Sequence, residues 1–222
     1  MKDPELNQED YYQRLRGKMV EGQLRKRGIK NPYLLEVMGR IPRHLFVPDN
    51  LAERAYDDCP LPIGENQTIS QPYIVALMTE HLELEGSEKV LELGTGSGYQ
   101  AAIICELARE LVTIERREIL VKRAGDLLEK LGFENFRVIL GDGTEGFPED
   151  APYDRVIITA ATPSIPQPVV DQLEEGGIVI APVGRFFDQD LVKGIKRGRK
   201  LKKTYLGGCR FVKLVGKYGF PQ

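Results

Sequence analysis

Residues 90–102, VLELGTGSGYQAA, decide how this chain folds. The segment begins as a short apolar strand, turns through Gly94, Gly96 and Gly98, and continues into the apolar start of a helix. Glycines in such a turn let the backbone bend sharply and approach a bound nucleotide without a Cβ clash. The spacing fits neither GxxxxGK[ST] nor a strict GxGxxG, so it excludes a P-loop and disfavours a pyrophosphate cradle. Taken alone, the pattern is equally compatible with a tight turn that binds nothing.

Strands and helices alternate on both sides of this turn. The order predicts a parallel, doubly wound α/β sheet whose two faces are covered by helices. The strands are predicted at residues 89–93, 111–114, 136–140, 155–159 and 178–181, and the intervening helices at residues 99–109 and 118–130, the second with Ile119, Ala124, Leu127, Leu128 and Leu131 inward.

The chain before this alternation has a different character. Helical periodicity at residues 9–28 predicts a first helix, and Asn31-Pro32 predicts the capped start of a second. Five prolines between positions 41 and 72 keep helices short and favour loops. We therefore expect a helical and substrate-loop extension over residues 1–84 and a sheet core over residues 85–222, forming one compact unit.

The end of the chain predicts antiparallel strands. Residues 191–196 and 200–206 predict a hairpin, and residues 210–215 predict a last strand. The run KGIKRGRKLKK at residues 193–203 holds seven cations. It is compatible with RNA binding, but apolar and charged residues alternate along it, which favours a solvated hairpin.

Three acidic residues follow successive strands of the predicted sheet. Glu92 lies near the end of the first strand, Glu115 closes the second, and Asp142 follows the third within Gly141-Asp142-Gly143. Carboxyl ends of parallel strands meet at one edge of a sheet, so these acids are expected close together. Three acids at one edge suit a ligand that offers three groups able to donate hydrogen bonds, namely an ammonium, a ribose diol and an adenine amine. S-adenosylmethionine carries all three groups, whereas NAD lacks the ammonium and brings a diphosphate.

Composition excludes several classes of protein. The 222 residues carry a formal net charge of −2, which argues against a protein that holds nucleic acid by bulk charge. No apolar run approaches the roughly 20 residues needed to cross a bilayer, and no basic-then-apolar leader opens the chain. Cys59, Cys105 and Cys209 are scattered without CxxC spacing, so neither a disulfide scaffold nor a metal site is expected. We expect a cytoplasmic protein, without membrane or nucleic-acid partners.

Several motifs together resemble one family. The glycine loop, TIER at residues 113–116 and GDG at residues 141–143 resemble class I methyltransferases with their Rossmann-like sheet. IPRHLFVP, AYDD and above all IGENQTISQP, within residues 41–72, resemble protein-L-isoaspartate O-methyltransferases, as does RFVKLVG at residues 210–216. The resemblance extends over nearly the whole chain.

The resemblance implies methyl transfer from S-adenosylmethionine to the free α-carboxylate of an isoaspartyl residue in a damaged protein or peptide. S-adenosylhomocysteine is the product, and the methyl ester then closes to a succinimide. By this resemblance Ser70 is the active-site residue, and Thr68, Ser70 and Val215 contact the substrate. The implied cofactor-binding residues are Gln67, Thr68, Ile69, Glu92, Gly94, Thr95, Gly96, Ser97, Gly98, Glu115, Arg116, Asp142 and Gly143. No metal is implied, and we expect a monomer.

Two other functions remain open at this stage. One is a methyltransferase that acts on RNA or small molecules and shares only the cofactor domain. The other is a cofactor-binding scaffold without turnover. The intact QTIS at residues 67–70 favours the enzyme. An α-carboxylate, with a pKa near ~3.5, is already ionised at neutral pH and needs no general base, so Ser70 is expected to orient it rather than to attack.

Overall fold

The computed structural model describes residues 7–185 and 188–221, so residues 1–6, part of the expected extension, lie outside it. Six helices and nine strands are described in these ranges. In chain order they are α1 (Gln8–Met19), α2 (Pro32–Arg40), β1 (Leu61–Gly64), β2 (Gln67–Ile69), α3 (Pro72–Leu82), β3 (Lys89–Leu93), α4 (Tyr99–Leu107), β4 (Glu110–Glu115), α5 (Glu118–Lys130), β5 (Phe136–Leu140), β6 (Tyr153–Ile158), α6 (Gln167–Asp171), β7 (Leu173–Arg185), β8 (Asp188–Arg197) and β9 (Lys200–Cys209).

Seven strands form one sheet in the order β5-β4-β3-β6-β7-β8-β9. The pairs β5-β4, β4-β3, β3-β6 and β6-β7 are parallel, and β8 and β9 add an antiparallel hairpin. The predicted doubly wound sheet is confirmed. The chain runs from β3 outward to β5 and then returns to β6 on the other side of β3. Ligands of such sheets bind where the strand order reverses, at the carboxyl ends of the strands.

Helices cover both faces of the parallel strands, as predicted. Buried apolar residues occupy β3 on both faces, since Val90 belongs to one core cluster and Leu91 to the other. On α5 the buried stripe is Leu120, Ala124 and Leu128, spaced four residues apart. The prediction that Ile119 faces inward was wrong. It is 56% exposed, because Leu120 takes the inward position in this register.

The N-terminal helices pack onto the same core as the sheet. Met19, Leu35 and Met78 share a cluster of buried residues with Ile104 of α4. The predicted cap of α2 is confirmed, with Asn31 Oδ1 accepting a hydrogen bond from the Leu34 N–H at 3.1 Å. In the described residues, no helix combines the length and the apolar character needed to cross a bilayer.

The sequence did not reveal the small hairpin β1-β2, which was assigned to loops. Its two-residue turn, Glu65-Asn66, has φ values of 52° and 56°. Left-handed residues at both positions suit a tight hairpin turn. The predicted last strand at residues 210–215 was wrong in part, because Lys213 and Val215 form only isolated bridges. Lys213 pairs with Ala161, which lies in a loop and offers no strand to continue the ladder.

Candidate active site

A cleft opens at the carboxyl ends of β3, β4 and β6, beside the point where the strand order reverses. This first cleft has an empty volume of about 570 Å³ when the solvent space at its mouth is included. Its walls come from the end of the β1-β2 hairpin with Ser70, α3, the glycine loop with the start of α4, the ends of β4 and β6, and the chain after β9. The lining residues are Gln67, Thr68, Ile69, Ser70, Val75, Met78, Gly94, Thr95, Gly96, Ser97, Tyr99, Gln100, Glu115, Thr159, Ala160, Phe211 and Val212.

The glycine loop needs its glycines for steric reasons. Gly94 has a φ of 101°, and a Cβ there would lie 2.6 Å from Thr159 Oγ1. Thr159 itself donates to the Gly94 carbonyl at 2.5 Å, which joins the loop after β3 to the loop after β6. Gly98, with a φ of 85°, ends the turn where a Cβ would lie 3.2 Å from Ala124 Cβ of α5. The loop is therefore fixed in one conformation between β6 and α5.

Glu115 fixes the same loop from the end of β4. Its Oε2 accepts a hydrogen bond from the Gly96 N–H at 3.0 Å, and its Oε1 accepts from the N–H groups of Arg116 and Arg117 at 2.9 and 3.0 Å. The side chain is almost fully buried and lines the first cleft. A carboxylate held at this edge can accept hydrogen bonds from a diol, which is the role expected of it.

Glu92 lies deeper than predicted for a ligand-binding acid. It is fully buried on β3 and does not line the first cleft. Its Oε2 accepts from Thr113 Oγ1 at 2.7 Å, and Thr113 Oγ1 lies 2.7 Å from Thr95 Oγ1 in the glycine loop. Burial raises the pKa of Glu92 from 4.5 to about 8. The side chain thus supports the glycine loop from below through two hydroxyl groups.

Asp142 holds the end of the chain. Its Oδ1 accepts from the N–H and the hydroxyl of Thr144, and its Oδ2 accepts from the Lys217 N–H at 2.8 Å. Burial by itself would raise the pKa of Asp142, but these hydrogen bonds hold it below its ordinary value. Asp142 and the adjacent Gly143 stand at the predicted edge of the sheet, behind the lining of the first cleft.

A second cleft adjoins the first. Its empty volume is about 1130 Å³, and its walls come from α3, the end of β9 and residues 207–212. The residues that line both clefts are Thr68, Ser70, Thr159, Phe211 and Val212. These residues form the boundary between the two clefts. A group bound in one cleft can therefore contact a group bound in the other only next to these residues.

The β1-β2 hairpin that carries this boundary is anchored to the start of α5. Arg117 Nη1 donates to Glu65 Oε2 at 3.3 Å, and Arg123 Nη1 of α5 donates to the Ile63 carbonyl at 2.8 Å. These contacts hold β1 and the turn of the hairpin against α5. Ser70 follows β2 directly and is half-buried.

Comparison with known proteins decides between the functions that the sequence left open. The family model described as protein-L-isoaspartate(D-aspartate) O-methyltransferase matches residues 15–219. The chain belongs to this family. Curated protein-L-isoaspartate O-methyltransferases of Syntrophus aciditrophicus and Methanoculleus marisnigri are 53% and 54% identical to it, each over 95% of this chain. The matches cover 98% and 96% of those two proteins.

Solved structures of protein-L-isoaspartate O-methyltransferases share the fold. One superposes with a TM-score of 0.82 at 30% identity, covering 92% of this chain and 67% of that one. A Plasmodium falciparum structure, described as a complex with S-adenosyl-L-homocysteine, superposes with a TM-score of 0.77 at 22% identity, covering 90% and 98%. The Rossmann-like methyltransferase fold is thereby confirmed.

The first cleft brings together many of the site residues expected for this methyltransferase family. Those that line it are Gln67, Thr68, Ile69, Ser70, Gly94, Thr95, Gly96, Ser97 and Glu115. Glu92, Gly98, Arg116, Asp142 and Gly143 lie around it without lining it, and Val215 lines neither cleft and is bridged to Phe220. The residues of the lining that were not predicted as site residues are Val75, Met78, Tyr99, Gln100, Thr159, Ala160, Phe211 and Val212.

Two of the missed residues carried a usable signal. Thr159 and Ala160 follow β6, so the rule that selected Glu115 and Asp142 at strand ends would have selected them too. Phe211 and Val212 belong to the RFVKLVG motif, but no local signal places them in the first cleft, because this segment is held there by pairing with a loop. The Ala161 N–H donates to the Val212 carbonyl at 2.7 Å.

The two histidines, His44 and His81, lie outside both clefts. His44 stacks on Tyr12 with ring centroids 3.8 Å apart, and its Nδ1 lies 2.8 Å from the Tyr56 hydroxyl. His81 lies on α3, and burial lowers its pKa. Neither lines the two clefts. In the parts of the chain that the structure describes, no group of three or more potential metal ligands occurs.

Proposed function

We propose that this protein transfers a methyl group from S-adenosylmethionine to the free α-carboxylate of L-isoaspartyl residues in damaged proteins and peptides. The ester formed closes to a succinimide, which begins repair. Family membership over residues 15–219, with relatives above 50% identity along nearly their whole length, supports this activity. The single observation that carries its placement is the pair of clefts that meet at Ser70 and Thr68.

The first cleft suits the cofactor. Glu115 presents a buried carboxylate where a ribose diol can donate to it, and the glycine loop approaches closely because a Cβ at Gly94 has no room. When bound, S-adenosylmethionine supplies a methyl group on a positively charged sulfur. The sulfur leaves readily as the neutral thioether of S-adenosylhomocysteine. The residues that we propose to hold it directly are Gln67, Thr68, Ile69, Gly94, Thr95, Gly96, Ser97 and Glu115. Glu92, Gly98, Arg116, Asp142 and Gly143 form the surrounding layer of the proposed cofactor site.

The second cleft suits an extended peptide. It adjoins the first cleft, and residues 207–210 contribute two glycines whose lack of side chains leaves main-chain groups accessible. Isoaspartate carries its free carboxylate directly on Cα, so a site that distinguishes it must fix the backbone on both sides of that carbon. Main-chain contacts would achieve this while accepting many neighbouring side chains. Val215, the other expected substrate residue, would act through the segment that includes Phe211 and Val212.

The chemistry demands orientation more than acid–base catalysis. The acceptor carboxylate is ionised at neutral pH and is itself the nucleophile. The protein must align its oxygen with the methyl carbon at roughly 3 Å and exclude water, an effect worth up to several kcal/mol. We propose that Ser70 donates a hydrogen bond to the carboxylate from the boundary between the clefts.

Paired peptides test this function directly. Two peptides identical except for an aspartyl or isoaspartyl linkage are offered with labelled S-adenosylmethionine, beside bulk RNA. Base-labile label on the isoaspartyl peptide alone is the expected result. Equal label on both peptides, or label on RNA, contradicts the proposal.

We also propose that the enzyme works in the cytoplasm as a monomer and does not bind nucleic acid. Cys59, Cys105 and Cys209 are free thiols, which suits a reducing compartment, and the net charge of −2 suits a protein substrate better than a polyanion. The cationic run lies on the β8-β9 hairpin, as expected of a solvated hairpin. Sedimentation and a filter-binding assay with RNA test these points.

A further inference from the structure

Arg43 is a fully buried cation. It opens the turn at residues 43–46, and its side chain has no exposed surface. Across the described residues no carboxylate forms an ion pair with it. Burying an unpaired charge is costly, so proteins rarely keep one without compensating contacts. The contacts that compensate this guanidinium therefore indicate what it does.

The guanidinium joins three segments of the chain, two of which line the proposed active site. Its Nε donates to the Ala55 carbonyl at 2.6 Å, and its Nη2 donates to the Ser70 carbonyl at 2.7 Å. Its face lies over the ring of Tyr99, 4.7 Å from the centroid. Tyr99 is the first residue of α4 and follows the glycine loop directly.

These contacts relate the two halves of the proposed site to each other. Ser70 lies at the boundary between the clefts, and Tyr99 forms part of the wall of the first cleft. A single rigid group thus sets the spacing between the serine and the end of the glycine loop. Burial lowers the pKa of Arg43, and electrostatic interaction with Tyr99 is the largest effect that opposes it.

We propose that Arg43 is a positioning residue for methyl transfer. Its guanidinium binds the Ser70 carbonyl and lies over the Tyr99 ring, and it thereby fixes Ser70 relative to the glycine loop. This proposal rests on the proposed role of Ser70. Only arginine offers two donors at fixed directions together with a flat cationic face, so lysine at this position cannot hold all three partners. Arg43 touches neither cleft, and it acts through Ser70.

The test compares Arg43→Lys with Arg155→Lys. Arg155 is a matched control, because its Nε donates to the Leu82 carbonyl at 2.6 Å and its Nη2 to the Glu83 carbonyl at 3.2 Å, away from both clefts. We expect Arg43→Lys to lower kcat on an isoaspartyl peptide about 10- to 100-fold, as small misplacements of reacting groups do. Affinity for S-adenosylhomocysteine, measured by calorimetry, should change less than about twofold, and Arg155→Lys should leave kcat unchanged.

A double-mutant cycle separates positioning from general stability. If Arg43 acts through Ser70, Arg43→Lys should cost much less in a Ser70→Ala background than in the wild type. Hydrogen exchange of residues 67–71 should also quicken in Arg43→Lys and not in Arg155→Lys. Arg43→Gln, which introduces no buried charge, repeats both measurements if the lysine variant fails to fold.

Two results overturn the inference. One is a folded Arg43 variant with wild-type kcat, and the other is an equal loss of kcat with and without the Ser70 hydroxyl. A wild-type protein inactive on isoaspartyl peptides would instead contradict the proposed function. In that case exchange of residues 67–71 still decides whether Arg43 holds this segment.

Discussion

The Glu115 carboxylate accepts a hydrogen bond from the Gly96 N–H at 3.0 Å. This bond joins the end of β4 to the middle of the glycine loop, so one acid both shapes the loop and faces the cleft that the loop encloses. The proposed ligand role and the structural role of Glu115 therefore share the same two oxygens.

Glu115→Ala is expected to weaken binding of S-adenosylhomocysteine by about 1.5–3 kcal/mol, because hydrogen bonds to a charged acceptor are lost. Isothermal calorimetry measures the effect. Glu110→Ala, at the opposite end of β4, is the matched control and should bind normally. Unchanged affinity in a folded Glu115 variant would remove this residue from the proposed site.

Ser70→Ala is expected to lower kcat on an isoaspartyl peptide, since the hydrogen bond that Ser70 donates to the acceptor carboxylate is lost. Affinity for S-adenosylhomocysteine should stay within about twofold of wild type, because this bond is made to the substrate. Ser87→Ala, at an exposed serine before β3, controls for the loss of a hydroxyl. A methyl or acyl adduct trapped on Ser70 and seen by mass spectrometry would show covalent catalysis and rule out the orienting role.

Glu92 should make stability depend on pH. Its pKa rises from 4.5 to about 8 in the folded state, so folding takes up a proton between these values and stability falls as the pH rises through this window. Glu92→Gln cannot titrate. The melting temperature of Glu92→Gln minus that of wild type should therefore increase from about pH 5 to about pH 8. Each kcal/mol that the wild type loses in free energy of unfolding corresponds to roughly 2–4 °C. Scanning calorimetry across this range provides the measurement, and a pH-independent difference would contradict it.

Asp142→Ala should release the end of the chain. The variant loses the acceptor for the Lys217 N–H, so hydrogen exchange of residues 214–220 should become faster at neutral pH. Asp126→Ala, on the exposed face of α5, should leave this exchange unchanged. Folding lowers the pKa of Asp142 below its ordinary value of 3.8. In the wild type, the hydrogen bonds that the Asp142 carboxylate accepts are therefore present above pH 3.8 and are lost as the pH falls through the lowered pKa. Equal exchange in both variants at neutral pH would show that other contacts hold the segment.

Local sequence signals predicted much of this molecule. The glycine loop and Glu115 could be placed in advance because both follow strands whose parallel order the alternation of elements reveals. Asn31 could be recognised as a helix cap because a cap acts within three residues.

Non-local pairing explains what the sequence could not show. Phe211 and Val212 reach the first cleft because residue 212 pairs with Ala161, some fifty positions earlier in the chain. The depth of Glu92 depends on Thr113 of the neighbouring strand, and nothing in the IPRHLF motif indicates that Arg43 reaches Ser70. These relationships exist only once the sheet has assembled.

The boundary between the clefts has a consequence for the order of synthesis. Thr68 and Ser70 leave the ribosome about 140 residues before Phe211 and Val212, which complete both clefts. The parallel strands and the glycine loop lie between these two segments in the sequence. They are therefore synthesised before either cleft can be closed on this side.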